Sequence, residues 1–317
     1  MRSLDAIGYG DICVDYVIKV KRFPNVDEKV YMVGSSKHGG GVTANFAVGI
    51  SRLGALTGFV GGIGKDENGR FLLELLKKDK IDTSFLKIYD DRETAVNFII
   101  LEETGDRRII MDPLLRENVP PPEVFGHDLE MYLGRAKVLH TSAIKLPAAI
   151  NLSKVAKKNN VLISFDLEKH IIEQFSPEIV VEMIKLTDIL LPNKMGAIAL
   201  TGETSLIDAG KKLLSLGPKV VIITLGERGC LALTKDRIRM IPAFKIKPVD
   251  TTGAGDAFNA GFIYGYVIKG MDIDEATQLA NLVAAIKCTK LGAQSGMPLR
   301  SEVEKFIGEL KLKISLN

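Results

Sequence analysis

Short, nearly continuous apolar runs alternate along this chain with amphipathic stretches. Leu4–Gly8, Val138–His140, Val161–Asp166, Ile189–Leu191 and Val220–Leu225 are brief and rich in β-branched residues. That pattern suits strands covered on both faces of a parallel sheet. Ala44–Leu53, Arg70–Lys78, Pro147–Lys158, Pro177–Leu186 and Leu206–Leu216 carry apolar positions at helical spacing. The alternation predicts an α/β fold, a three-layer doubly wound and mostly parallel sheet, occupying residues 1–317 as one domain. After Asp250 the pattern becomes mostly helical, over Ala254–Lys269, Ile273–Thr289 and Ser301–Leu310.

Two regions break this rhythm. Residues 12–34 contain strand-like alternation such as Val14-Asp15-Tyr16-Val17-Ile18-Lys19-Val20. Residues 94–111 read as a β-hairpin, Ala95–Glu102 and Arg107–Met111 joined by a Thr104-Gly105-Asp106 turn. Neither fits a βα unit, so together they predict a small β-sheet beside the main domain.

Composition narrows the function classes. The 317 residues carry 42 Lys and Arg against 39 Asp and Glu, a net charge of +3 that gives no reason to invoke nucleic acid or an anionic membrane. Cys13, Cys230 and Cys288 lie far apart in apolar runs, which predicts buried free thiols rather than a metal site or disulfide framework. An Asp at position 5 falls where a signal peptide needs its apolar core, and no apolar run approaches membrane-spanning length. A cytoplasmic protein is expected.

Residues 250–265, Asp-Thr-Thr-Gly-Ala-Gly-Asp-Ala-Phe-Asn-Ala-Gly-Phe-Ile-Tyr-Gly, hold the most chemistry. A glycine turn opening a helix aims free N–H groups and the positive end of the helix dipole at one point. Asp256 falls in the first helical turn beside that point. Ala257, Ala260, Gly261 and Gly265 give the helix a small-residue face for close packing. An anion hole next to a carboxylate suits phosphoryl transfer to a hydroxyl. A plain helix start with a favourable acidic residue is the simpler alternative.

The whole run resembles the C-terminal signature of the ribokinase, or PfkB-type, carbohydrate kinases. The resemblance implies a ribokinase-like fold in which Asp256 is the catalytic base and Gly253, Ala254 and Gly255 form the anion hole. It implies ATP and Mg²⁺ as partners in the reaction, and a monovalent cation such as K⁺ at Asp250 and Thr252. It makes the small sheet a lid over the sugar and a site of homodimerisation. Residues 38–55, with Gly40, Gly41, Asn45, Leu53 and Gly54, match the family's other signature, Gly-Gly-x-x-x-Asn before a helix. The Gly61–Gly69 stretch resembles its Gly-x-Asp-x-x-Gly segment. Gly40, Gly41 and Asn45 are thereby expected to contact sugar hydroxyls. Asp15, whose two acceptor oxygens suit a vicinal diol, is expected to join them. Asp11 is either a second such contact or an exposed strand-end Asp. Arg107 and Arg108 either reach a negative group on the substrate or are solvated.

On the nucleotide side, Thr224, Gly226 and Gly229 follow a strand, where open α/β sheets bind ligands. Asn193 matches the start of the family's Asn-x-x-Glu motif. Asn281 and the Gly292–Ser295 turn resemble the adenine and cation region, although Asn281 reads equally as a satisfied polar residue within a helix. Departures from the family also stand out. Gly196 replaces the motif's Glu, with Glu203 and Glu227 as possible substitutes. Cys13 and Val42 replace ribokinase Asn and Lys, and Thr141 falls near the ribokinase substrate Glu. These departures weaken ribose as the substrate. The acceptor is then a sugar or a nucleoside, with 2-keto-3-deoxygluconate a further choice on the same fold and a non-catalytic sugar-binding protein a different class. A dinucleotide enzyme is disfavoured because Cys13 falls where a third glycine is needed. A P-loop is absent because Asp66 follows Gly64-Lys65.

Overall fold

A computed structural model describes residues 4–103 and 106–316. Thirteen strands form two sheets among the described residues. The strands are β1 (Ala6–Tyr9), β2 (Cys13–Val20), β3 (Met32–Gly40), β4 (Thr57–Gly64), β5 (Asp82–Tyr89), β6 (Val96–Glu102) and β7 (Arg107–Ile110), followed by β8 (Val138–Thr141), β9 (Leu162–Leu167), β10 (Ile189–Pro192), β11 (Val220–Thr224), β12 (Cys230–Thr234) and β13 (Ile238–Ile241).

The large sheet runs β13-β12-β11-β10-β9-β8-β1-β4-β5. Its strands from β11 to β5 are parallel, and β12 and β13 close one edge antiparallel. From β1 the chain winds one way through β4 and β5, then returns to β8 on the other side of β1. This reversal opens a crevice at the carboxyl ends of the strands, where such sheets hold ligands. Two apolar clusters pack on the opposite faces of the sheet, one around Phe46, Phe59 and Phe262, the other around Tyr9, Phe165 and Leu190. The expected doubly wound architecture is thus present.

The second sheet has the order β3-β2-β6-β7. It draws on both regions that break the βα rhythm. β6 and β7 pair antiparallel as a hairpin; of its expected turn, Thr104 and Gly105 lie outside the described residues. β3 extends to Gly40, so the first glycines of the 38–55 stretch are strand residues paired with β2, Gly40 opposite Cys13 and Gly39 opposite Val14.

The sequence pattern passes over β4, which reads Thr-Gly-Phe-Val-Gly-Gly-Ile-Gly and is buried throughout. Glycine depresses strand propensity, but here it admits close neighbours. A methyl group on Gly62 would lie 2.0 Å from the Asn118 carbonyl, and one on Gly64 2.4 Å from that of Arg92. The Gly-x-Asp-x-x-Gly segment after it is a clasp. Asp66 Oδ1 caps the next helix by accepting from Gly69 N–H at 2.7 Å, while Oδ2 accepts from Thr94 N–H at 2.7 Å, just before β6.

Of the C-terminal helices, the first departs from expectation. It is α-helical over Ala254–Ile263, then widens into a π-helical turn over Tyr264–Ile268. Its small residues work as the sequence suggests. An added methyl at Gly261 or Gly265 would sit 2.9 or 3.1 Å from the Cα of Ala280 or Ala276 on the helix Ile273–Cys288. From the other side, Gly49 of the helix Val42–Arg52 approaches Ala260. The three cysteines are buried and free.

Candidate active site

Two helices start over the crevice. The helix Val42–Arg52 begins at Gly41, whose φ of 95° puts it in the region that favours glycine. A methyl there would lie 2.7 Å from the Asp11 carbonyl oxygen. Asp11, just past β1, satisfies the start of this helix. Its Oδ2 accepts from Val42 N–H at 2.8 Å, Oδ1 from Thr43 N–H at 3.1 Å, and its carbonyl from Ala44 N–H at 3.2 Å. The Thr43 and Ser142 hydroxyls complete Oδ1 at 2.9 and 3.0 Å. Asp11 thus serves as a remote helix cap and is buried, not the exposed strand-end Asp of the second sequence reading.

The helix Ala254–Ile263 begins at Gly253, φ 79°, with no side-chain cap. Ala254 N–H reaches the Thr251 carbonyl and Ala257 N–H the Gly253 carbonyl. Gly255 and Asp256 supply the N–H groups that a helix start leaves over. Gly255 is exposed, and a side chain there would extend into open space.

One hydrogen bond joins the two helices. Asn45 Nδ2 donates to Asp256 Oδ2 at 2.7 Å. Both side chains are buried, and Asn45 Oδ1 is a buried acceptor with no partner. Burial pushes the Asp256 carboxyl up to about 8; the Asn45 bond opposes this, and the charges of Glu168 and Asp11 add to it. One turn on, Asn259 Nδ2 donates at 2.9 Å to Asp166 Oδ2 at the end of β9. Asp166 is also pushed well above the ordinary carboxylate range, by burial first and then by Glu168 and Asp256. The sequence reading assigns no role to Asp166 or Glu168, although their position at the carboxyl end of a parallel strand is a usable signal.

Asp15 lies on β2 between His38 and Asn97 of the neighbouring strands. It accepts from Asn97 Nδ2 at 3.2 Å, and burial pushes its carboxyl up to about 6. Gly40 makes room for it, because a methyl there would lie 2.2 Å from Asp15 Oδ2. Gln294 Nε2 donates to the Gly40 carbonyl at 3.1 Å, tying the 292–296 turn to the same strand. Thr141 at the end of β8 bonds internally to Ala143 N–H.

Asn193, Thr224 and Gly226 line up along the carboxyl ends of β10 and β11, where Asn193 pairs with Thr224. Asn193 Oδ1 also caps its own helix through Gly196 N–H at 2.7 Å. Gly226 and Gly229 have φ of 62° and 89°, and Gly229 packs against the Ile241 carbonyl. The Asn281 amide donates to the Pro242 carbonyl at 3.2 Å and borders Cys230. It ties the exit of β13 to its helix, as a satisfied polar residue does. Gly196 has a packing reason, since a methyl there would lie 2.4 Å from the Leu167 carbonyl. Of the possible substitutes for the missing Glu, Glu203 pairs with Lys212 and Glu227 is exposed in the turn after β11.

Asp250 and Thr252, the expected monovalent-cation residues, already face protein donors. Asp250 Oδ1 accepts from Thr252 N–H at 2.9 Å and Oδ2 from Gly292 N–H at 2.8 Å. Arg107, on β7, reaches the hydroxyls of Thr251 and Thr252 at 3.1 and 3.0 Å. Arg108 instead stacks over Phe23. Open surface clefts of about 750 and 700 Å³ lie elsewhere, lined by residues such as Arg92 and Lys145 or Lys211 and Arg237.

The crevice of the doubly wound sheet thus brings an uncapped helix start and a buried carboxylate, Asp256, together with Asn45. The family pattern of the pfkB family carbohydrate kinases matches residues 4–300, and the chain belongs to that family. It is 33% identical over 265 residues to an uncharacterized sugar kinase of Archaeoglobus fulgidus, covering 79% of this chain and 98% of the relative. A crystal structure of ribokinase from Thermotoga maritima superposes with a TM-score of 0.81 at 30% identity, covering 96% of this chain and 99% of that one. A nucleoside kinase of Methanocaldococcus jannaschii, described as an archaeal member of the ribokinase family, superposes with a TM-score of 0.82 at 25% identity over 98% of this chain and all of that one. The protein is a sugar kinase of this family, a phosphotransferase with an alcohol acceptor. No helix among the described residues is long and apolar enough to cross a membrane.

Proposed function

We propose that the protein transfers the γ-phosphoryl group of ATP to a primary hydroxyl of a pentose or hexose, with Asp256 as the base. The observation that carries this reading is the Asn45–Asp256 bond of 2.7 Å. It joins the Gly40–Asn45 segment, the acceptor side, to a helix start with free N–H groups. The acceptor hydroxyl lies against Asp256 and gives it its proton. The hydroxyl oxygen bonds the γ-phosphorus as the bond to the bridging oxygen breaks. The N–H groups of Gly255 and Asp256 face the charge on the transferred group, where preorganised donors act most strongly.

Asp15 and the unpartnered Asn45 Oδ1 hold further hydroxyls, with Gly40 and Gly41 keeping the backbone close. Thr224, Gly226, Gly229 and Asn193 line the nucleotide side. Magnesium, when bound, neutralises phosphate charge and is held mainly by phosphate and water. Among the described residues no cluster forms a ready metal cage. Asp166, at the end of β9, and Glu168, whose charge bears on both Asp166 and Asp256, are the carboxylates suited to hold its water shell.

The small sheet acts as a lid. Its outer face exposes Phe98 and Ile110, paired across β6 and β7, and Met32 on β3, and a second copy covers it. Light scattering that shows only monomer at micromolar concentration removes this dimer.

A panel of pentoses, hexoses, nucleosides and 2-keto-3-deoxygluconate, with ATP and then ADP as donor, tests the acceptor and the donor together. A neutral sugar as best acceptor with ATP is expected. A nucleoside preferred over every sugar would overturn the substrate class. The Asp256→Asn variant tests the base: wild-type turnover in that variant would remove it.

A further inference from the structure

Lys287 is the one charged residue in the run Leu282–Cys288 of an otherwise apolar helix segment, and its side chain is 0% exposed. A buried ammonium needs partners. Lys287 Nζ donates to the Asp250 carbonyl at 2.8 Å and lies 3.9 Å from Asp250 Oδ2. Its neighbours are fitted to it, since a methyl on Gly296 would lie 3.0 Å from Lys287 Cε. The same helix end holds the strap before the transfer loop, because the Cys288 carbonyl accepts from Val249 N–H at 2.8 Å and Asp250 N–H at 3.2 Å.

The residues expected to hold a monovalent cation therefore do not fit one. The Asp250 carbonyl is taken by an ammonium, and both carboxylate oxygens by the N–H groups of Thr252 and Gly292. The Thr252 hydroxyl accepts from Arg107. Burial works against a charged Asp250, yet the Thr252 and Gly292 bonds and the Lys287 charge keep its carboxyl below the ordinary range. Its negative charge is answered from within the chain.

We propose that the Lys287 ammonium is the resident cation of the 250–256 loop, so that this kinase works without the monovalent cation its relatives' signature implies. The ammonium fixes the Asp250 carbonyl, and Asp250 in turn fixes Thr252 and Gly292 on either side of Gly253. Lys287 is a positioning residue: it shapes the turn whose N–H groups face the phosphoryl group. The inference rests on the reading of that loop as the transfer site.

The test compares KCl with choline chloride at matched ionic strength, reading thermal midpoint, thallium(I) binding and ATP turnover with the best acceptor of the panel. Wild-type protein should give the same midpoint in both salts, bind no thallium(I), and change turnover by less than about twofold. Lys287→Ala opens space beside the Asp250 carbonyl. It should melt lower in choline, recover selectively with K⁺, bind thallium(I), and regain several-fold turnover with K⁺. Lys287→Met fills the space without charge and should lose turnover in both salts without rescue. Wild-type protein that binds thallium(I) or is activated several-fold by K⁺ overturns the proposal, as does an unrescued Lys287→Ala that folds. If Lys287→Ala does not fold, the wild-type comparison and Lys287→Met decide. Melting and thallium(I) binding involve neither sugar nor ATP, so their failure is separate from failure of the kinase reading.

Discussion

The helix starts at Gly41 and Gly253 look alike in sequence, and both glycines adopt positive φ. One is closed from outside by Asp11, whose carboxylate and carbonyl take the N–H groups of Val42, Thr43 and Ala44. The other keeps its carboxylate, Asp256, on the helix itself, beside N–H groups it does not cap. A glycine turn with an Asp nearby therefore does not identify an anion site. What separates the two is whether the anion is already part of the chain. The first start is held from outside and carries Asn45; the second has no side-chain cap, as the proposed anion site requires.

The largest effect should come from removing the carboxylate of the open end. Asp256→Asn should cut kcat by about a thousandfold or more while far-UV circular dichroism stays unchanged. Wild-type kcat/KM should rise with pH toward a plateau above about 8, where Asp256 ionises. The same ionisation affects stability. Because the folded carboxyl titrates at about 8 rather than 3.8, the unfolded chain loses its proton first as pH rises. Ionisation then favours unfolding throughout that window, and wild type loses stability across it. The melting advantage of Asp256→Asn over wild type should grow from pH 4 to pH 8 and level off beyond.

Closing residue Asp11 should matter in the opposite currency. Asp11→Ala strips several helix-start donors of their acceptor and should cost about 3 kcal/mol in a urea unfolding titration. If turnover falls instead with stability unchanged, the two helix starts are less distinct than their geometry indicates. The glycines sharpen the contrast at smaller scale. Gly41→Ala meets backbone at 2.7 Å and should destabilise by about 2 kcal/mol. Gly253→Ala meets the Ala293 side chain at 3.0 Å and its Cα at 3.2 Å, and strains the positive φ of the turn, so it should cost about 1 kcal/mol of stability and, as a second effect, lower kcat. The smallest effect is expected for Arg107→Ala. This exposed side chain bridges to Thr251 and Thr252, so stability should shift by no more than about 0.5 kcal/mol and KM for ATP by a few-fold.

The parallel core was legible because β-branched runs such as Val220–Leu225 leave little choice of structure. β4 was not, because its glycines answer to neighbours far along the chain, at Asn118 and Arg92. The same distinction governs the site. The 250–256 run and Asn45 carry local patterns, so sequence brings them forward. The bond between Asn45 and Asp256 spans 211 positions, and only the fold makes it. Asp11 could not be assigned in sequence because its partners, Thr43 and Ser142, lie on separate elements. Lys287 was the missed signal: a lone charge inside an apolar helical run.

The contact between Gly196 and the Leu167 carbonyl limits which residues position 196 can accept. A glutamate at 196 would push into the end of β9, between Asp166 and Glu168. Accepting it requires the Leu167 carbonyl at the end of β9 to move, so changes at 196 and at 167–168 should have non-additive effects on stability. Gly196→Glu alone should therefore displace the strand end that carries Asp166 and leads to Glu168.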